Sequence, residues 1–440
     1  MNHTTSSADG RAPRTVPGSF GAVRAGTAAG AGGLRGLAGA PAGQAVLSRL
    51  VAVDPTTFAD QHWGRRPLLS NAQDLPRDFG DLLSADAVDE LVSTRGLRTP
   101  FLRVAKNGST LAERSFTGPG GVGAGIADQV SDDKLVRLFS DGSTLVLQAL
   151  HRVWPPVLRL CQQLAAELGH PVQANAYVTP PQNQGFSNHY DVHDVFVLQI
   201  EGEKRWQIHP PVLESPLRDQ PWSDRKAAVA ARAAEEPLIE TVLRPGDCLY
   251  LPRGFLHAAT ALGGVSTHLT LGVHSWTRYL VAEQLLQQAL RSVAEDPAIR
   301  GSLPLGVDLG EPEDLQADVE QVRAALVAAL GATDLEQLSE VLHTASRGTS
   351  RAAPVGPLRQ LRTADQLRPD TELVLRPHVA ARLSTRDGQT VLRSRAADLP
   401  LTADEVPAVA RLLDAGTATP TDLGEPLARR LVLNGLVLSA

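Results

Sequence analysis

VQANAYVT (172–179), DVFVLQI (194–200), KRWQIH (204–209), LIETVLR (238–244), CLYLP (248–252) and STHLTLGVHS (266–275) follow one another with Gly and Pro turns between them. Their side chains alternate, the period of a pleated strand with one buried face. Six such runs within residues 172–275 predict an all-β unit, a sandwich or jelly roll.

On either side the periodicity changes. Upstream, TLVLQALHRVWPPVLRLCQQLAAELG (144–169) has apolar residues three and four apart and predicts two helical pieces kinked at Pro155-Pro156. Order is expected to begin near Gln44, where QAVLSRLVAV has helical spacing. Asp54-Pro55-Thr56-Thr57 has the residues of a helix start. Downstream, 279–294, 313–330 and 334–345 read as amphipathic helices, a small bundle. A Pro/Gly/Arg stretch follows. The end of the chain reads as strands, a turn at Asp387-Gly388 and helices from near Thr402 and Pro420, a winged-helix-like module. The expectation is therefore an α+β chain: a flexible tail at 1–43, a β-rich unit at 44–278, a helical unit at 279–346, a linker at 347–366 and a terminal module at 367–440.

Composition narrows the classes. The 440 residues carry 42 Lys+Arg against 48 Asp+Glu, a formal charge of −6, which gives no whole-chain attraction to nucleic acid or anionic lipid. Two cysteines, Cys161 and Cys248, exclude a disulfide framework and fit a reducing cytoplasm. No apolar run is long enough to span a bilayer, and the N-terminus lacks the apolar core of a secretory signal. Six of the 12 His fall between 189 and 274, so the β unit is where chemistry is expected.

Within it, Asn188-His189-Tyr190-Asp191 puts an imidazole and a carboxylate two residues apart, on one face of extended chain. A second His from a distant strand would complete a facial triad with open positions, the coordination of non-haem Fe(II) oxygenases. Alone, a His-x-Asp triplet is more often a hydrogen-bonded pair at a strand end. His257, presented after Pro245-Gly246-Asp247 and a second Pro/Gly turn, is the expected third ligand. Its rivals are assigned elsewhere: His193 to the pocket wall, His268 to the interior of an alternating strand, His209 and His274 to strand ends. An oxygenase of this kind also needs a cation for the far carboxylate of its cosubstrate. Lys204, one of four Lys beside 38 Arg, is the candidate, against an ordinary solvated strand end.

Taken together, HYDVHDVFVLQIEGEKRW (189–206), RPGDCLYLPRGFLH (244–257) and STHLTLG (266–272) resemble the JmjC-type cupin oxygenases, most of all the ribosomal-oxygenase branch that hydroxylates protein side chains. FADQHWGRRPLL (58–69) and NAYVTPPQNQGF (175–186) extend the resemblance, and the helical and terminal segments follow in the same order. It implies a double-stranded β-helix core with flanking helices, Fe(II) held by His189, Asp191 and His257, and 2-oxoglutarate and O₂ as cosubstrates. Lys204 would pair with the distal carboxylate, and Asn175, Tyr177 and Thr270 would line the cosubstrate end. His193, His268, Tyr190 and Trp206 would form the surrounding pocket. Gly272 departs from the hydroxyl residue expected there in some relatives. The resemblance also implies a His or Arg of a ribosomal or other basic protein as target, and a homodimer through the helical segment, with a packed intramolecular bundle as the alternative. Two other functions use the same residues: a hydroxylase of a small molecule or peptide natural product, and a metal-binding cupin without turnover that serves as a binding module. Arg429-Arg430 is read as a solvated helix face rather than a nucleic-acid contact.

Overall fold

The computed structural model describes residues 45–106, 108–183, 187–386 and 388–440. The expected tail at 1–43, Gln44, the last three residues of the 175–186 motif and Asp387 of the expected turn lie outside them.

Two long strands, Asp194–His209 and Leu256–Val273, run antiparallel through the middle of a nine-stranded sheet. The first joins two runs that the sequence shows as separate, and the second extends the run that begins at Ser266 back to Leu256. The break falls where the ladder shifts register, between Leu262 and Thr267 on one strand and around Gly202 on the other. Gly202 has φ +65° and packs against the backbone of Val265, where a Cβ would collide with the carbonyl. Only glycine allows both strands to bend together there. One half of Asp194–His209 therefore pairs with Cys248–Leu251 and the other with Ile239–Leu243, which rolls the sheet around an interior.

On the other flank, Leu256–Val273 pairs with Val172–Thr179, then come Thr144–Leu147 and Leu102–Lys106. Thr144–Leu147 corrects the sequence reading, which made it the start of a helix. All four residues are buried between two strands, and a short apolar run carries no alternation that would tell a doubly covered strand from a helix. The helical pieces begin later, at Leu150–Val153 and Pro155–Leu168, on either side of the proline pair.

Alternation divides the sheet residues. Phe196, Leu198, Leu269, Leu271 and Val273 join the main core with Leu160 and Leu164 of helix Pro155–Leu168. Val195, Val197 and Trp206 face the other way into a smaller cluster. Asp54 accepts from Thr56 N and Thr57 N, both at 3.0 Å, and caps helix Pro55–Thr57 as its sequence suggests.

Helices Arg278–Val293, Pro312–Gly331 and Leu335–Arg347 follow. The expected linker is only partly irregular, since Pro357–Asp365 is a helix packed on helix Glu425–Leu433. Its polar sequence hides this because the anchor is a buried glutamine: Gln360 Nε2 donates to Val432 O and Val437 O, both at 2.8 Å. The C-terminal unit has its own core around Leu373, Val409 and Leu431, beneath two small sheets, Leu373–Leu375 with Thr417–Ala418 and Val437–Ser439, and Arg382–Arg386 with Gln389–Arg393 and Asp398–Leu401.

Candidate metal centre and its pocket

One isolated antiparallel bridge joins His189 to His257. His189 N donates to His257 O at 3.2 Å and His257 N donates to His189 O at 2.8 Å, so the backbones of the two residues lie side by side. Gly254 N donates to Asp191 O at 3.0 Å, tying the turn before His257 to the third residue. Asp194, which the sequence reading did not single out, fixes that turn further. Its Oδ1 accepts from Arg253 N and its Oδ2 from the Ser275 hydroxyl, both at 2.8 Å.

The result is that one ligand atom each of His189, Asp191 and His257 lies within 4.8 Å of the others. His257 Nε2 is 3.7 Å from Asp191 Oδ2. Each imidazole has its Nδ1 beside a backbone carbonyl, Ser187 O at 2.8 Å for His189 and Phe255 O at 3.1 Å for His257. Nδ1 therefore carries the proton, and Nε2 is left with a lone pair for a metal. Burial and the neighbouring His189 pull His257 down to about 4 despite Asp191, so it is neutral at pH 7. Burial pushes the Asp191 carboxyl up, but the imidazoles of His193, His257, His189 and His274 outweigh this and hold it below its ordinary range. Two imidazoles and a carboxylate fit a divalent cation.

An inner pocket of about 60 Å³ opens from this group, lined also by Tyr177, Lys204, Trp206, His268, Thr270 and Thr144. Tyr177 and His268 are directly opposite on paired strands and stack at 4.9 Å, with Trp206 edge-on to His268. Lys204 is 3% exposed, and Nζ donates to Thr179 Oγ1 at 3.2 Å. Among the described residues no carboxylate lies within ion-pair distance of it. Burial pulls its ammonium down to about 7. Two further buried polar atoms of this wall, Trp206 Nε1 and His268 Nδ1, have no hydrogen-bond partner among the described residues. Thr144 and Thr179, joined at 3.2 Å, were missed in the sequence. Thr179 shares the parity of Asn175 and Tyr177 on one strand, which is the signal that could have found it.

Two residues are placed differently from the expectation. Asn175 lies not in the inner pocket but in a wider groove of about 510 Å³ beside it, with His193 and Arg103, and its Oδ1 accepts from Ala149 N at 3.0 Å. Tyr190 points away altogether. Sitting between two residues of the metal group, it alternates to the opposite side, where it is buried with Val229 and Leu256 and donates to Gln220 O at 2.9 Å. His193 does line the groove, stacked on His274 at 5.0 Å. Gly272 explains its seat: a Cβ there would stand 2.6 Å from His193 Cδ2 and 2.7 Å from Nε2.

The rolled sheet with its metal group inside is a cupin, and residues 149–280 match the family model of the JmjC domain. The chain is 34% identical to ribosomal oxygenase 1 of Gallus gallus over 257 residues, 57% of this chain and 40% of the relative. It is 30% identical over 274 residues to the bifunctional lysine-specific demethylase and histidyl-hydroxylase NO66 of Drosophila persimilis, 60% of this chain and 37% of that protein. The chain thus spans about 40% of the length of these curated relatives. The ribosomal oxygenase YcfD of Escherichia coli shares the fold, with a TM-score of 0.52 at 16% identity, over 89% of this chain and 99% of that one. A second structure of YcfD, in complex with cobalt and 2-oxoglutarate, aligns with the same TM-score and identity over 88% and 99%.

Proposed function

We propose that this chain is an Fe(II)- and 2-oxoglutarate-dependent dioxygenase that hydroxylates a His or Arg side chain of a ribosomal protein. The observation that carries the reading is the joint presence, in one pocket, of a two-His, one-carboxylate group and a buried lysine with no carboxylate partner among the described residues. A buried ammonium without a counter-charge is unfavourable unless a ligand supplies one. A dicarboxylate that reaches the metal with one end and Lys204 with the other does so. The E. coli structure with cobalt and 2-oxoglutarate, and the names of the relatives, support the same choice.

In this reading His189, Asp191 and His257 would hold the metal. Bound there, iron with 2-oxoglutarate and O₂ supplies the hydroxylating chemistry. Lys204 fixes the cosubstrate, assisted by the Thr179 hydroxyl. Tyr177, His268 and Trp206 wall the pocket against water, and Thr270 and Asp191 border both the pocket and the substrate groove. His189→Ala and His257→Ala abolish 2-oxoglutarate turnover, and full activity in both variants overturns the assignment. Mass spectrometry of ribosomal proteins from a deletion strain, searched for one lost oxygen increment, tests the target.

The reading also includes a homodimer. Helix Pro312–Gly331 buries no residue and exposes Val319, Val322 and Val327, with Leu305 and Leu309 ahead of it. A second copy would cover this surface. Among the described residues no helix is long and apolar enough to cross a membrane. We place the chain in the cytoplasm, beside ribosomes, with Cys161 and Cys248 as buried thiols. The units at 44–278, 279–346 and 367–440 belong to the same proposal.

A further inference from the structure

Behind the JmjC unit, and separate from the inner pocket, a second cavity of about 80 Å³ lies where helix Pro155–Leu168 meets the C-terminal unit. Its floor is Leu158 and Cys161. Its rim carries three arginines and two histidines: Arg152 and His151 come from the JmjC side, Arg351 from the connecting segment, His378 and Arg395 from the C-terminal unit. No carboxylate lines it. Among the described residues none of the three arginines has an ion-pair partner, although the chain as a whole has six more acidic than basic groups.

The Arg351 backbone and the Arg395 side chain are held in place. Gln162 Nε2 donates to Arg351 O at 2.9 Å, and Arg395 donates from a terminal guanidinium nitrogen to His378 O at 2.8 Å. The Nε of Arg395 is buried and has no hydrogen-bond partner among the described residues. Burial, with the Arg395 charge beside it, holds the His378 imidazole below its ordinary value. Converging guanidinium groups with donors to spare are the usual receptor for a tetrahedral oxyanion. The cavity has room for several waters or one such group.

We propose that this cavity binds a phosphate group and so ties the JmjC unit to the C-terminal unit. The anion supplies the missing counter-charge and fills donors that the protein leaves open. His151 and Arg152 also border the groove beside the metal group, so the site adjoins the surface that a substrate would cross. The proposal does not depend on the oxygenase reading.

The test is thermal melting of the full chain in inorganic phosphate against chloride at matched ionic strength. A saturable rise of about 2–4 °C in phosphate is expected. It should be lost in Arg395→Gln and in Arg351→Gln. The second variant guards against misfolding, because among the described residues Arg351 is bonded through its backbone carbonyl and not through its side chain. A short single-stranded oligonucleotide, followed by anisotropy, distinguishes the source. If it binds and both variants weaken it, the phosphate belongs to a nucleic acid; if only inorganic phosphate acts, the ligand is a free oxyanion. Equal behaviour in phosphate and chloride, an unchanged rise in both variants, or oligonucleotide binding without any response to inorganic phosphate overturns the proposal.

Discussion

The paired strands Asp194–His209 and Leu256–Val273 hide most of their side chains, Leu269, Leu271 and Val273 completely, whereas the 20-residue helix Pro312–Gly331 hides none. Both segments are apolar enough to be buried. In the sheet, alternation sends one set of residues to the main core and another to the smaller cluster beside the pocket, so most positions are covered within the same chain. In the helix, packing on helix Arg278–Val293 still leaves Val319, Val322 and Val327 exposed. The contrast separates a region whose apolar side chains are covered within the chain from one whose apolar side chains reach the surface.

Four measurements break or sharpen that contrast. Leu271→Ala should lower the unfolding free energy by about 2–5 kcal/mol, because a fully buried leucine leaves a cavity. A small loss in denaturant unfolding would mean that the sheet core is looser than the structure shows. Gly272→Ser should cost about 1–3 kcal/mol, since its Cβ must displace the His193 ring. The double variant with His193→Ala should recover most of that loss, and simple additivity would show that the two positions do not share space.

Lys204 gives a pH signature. Its folded value of about 7 lies below the unfolded value near 10.5, so the unfolded chain holds more protons between these limits. The stability of the ligand-free protein should therefore rise with pH from about 7 to 10.5. A bound dicarboxylate favours the charged ammonium, so 2-oxoglutarate affinity should fall as pH rises above 7, by up to about tenfold per unit. Lys204→Met should flatten both profiles, as read by melting and by titration calorimetry.

The smallest effect is expected at Val327, 64% exposed. Val327→Glu should change the stability of the isolated subunit by no more than about 0.5 kcal/mol. Light scattering should nevertheless show a dimer in the parent and a monomer in the variant. Two monomers would mean that the exposed helix face has no partner of its own kind.

Particular residues show where sequence reading succeeds. Alternation in 194–200 and 266–273 assigns each side chain to a face, because the period of a strand is a local property of the backbone. The helices at 278–293, 312–331 and 335–347 are legible for the same reason, as is the Asp54 cap. The strand at 144–147 is not, since burial on both faces removes the pattern. The helix at 357–365 is hidden because its anchor is a polar side chain that meets backbone carbonyls about 70 residues away.

The candidate site divides similarly. His189 and Asp191 can be paired from spacing alone, and His257 can be named from its turn, but only the bridge between 189 and 257 sets the rings side by side. Tyr190 and Asn175 lie near the right residues in sequence and outside the inner pocket in space. By itself the sequence determines periodicity, turn chemistry and the supply of ligating side chains, all of which act over a few residues. The tertiary structure decides which faces meet, which cations go unpaired at Lys204 and around Arg395, and which glycines make room. These depend on contacts between segments far apart in the chain, and no local pattern encodes them.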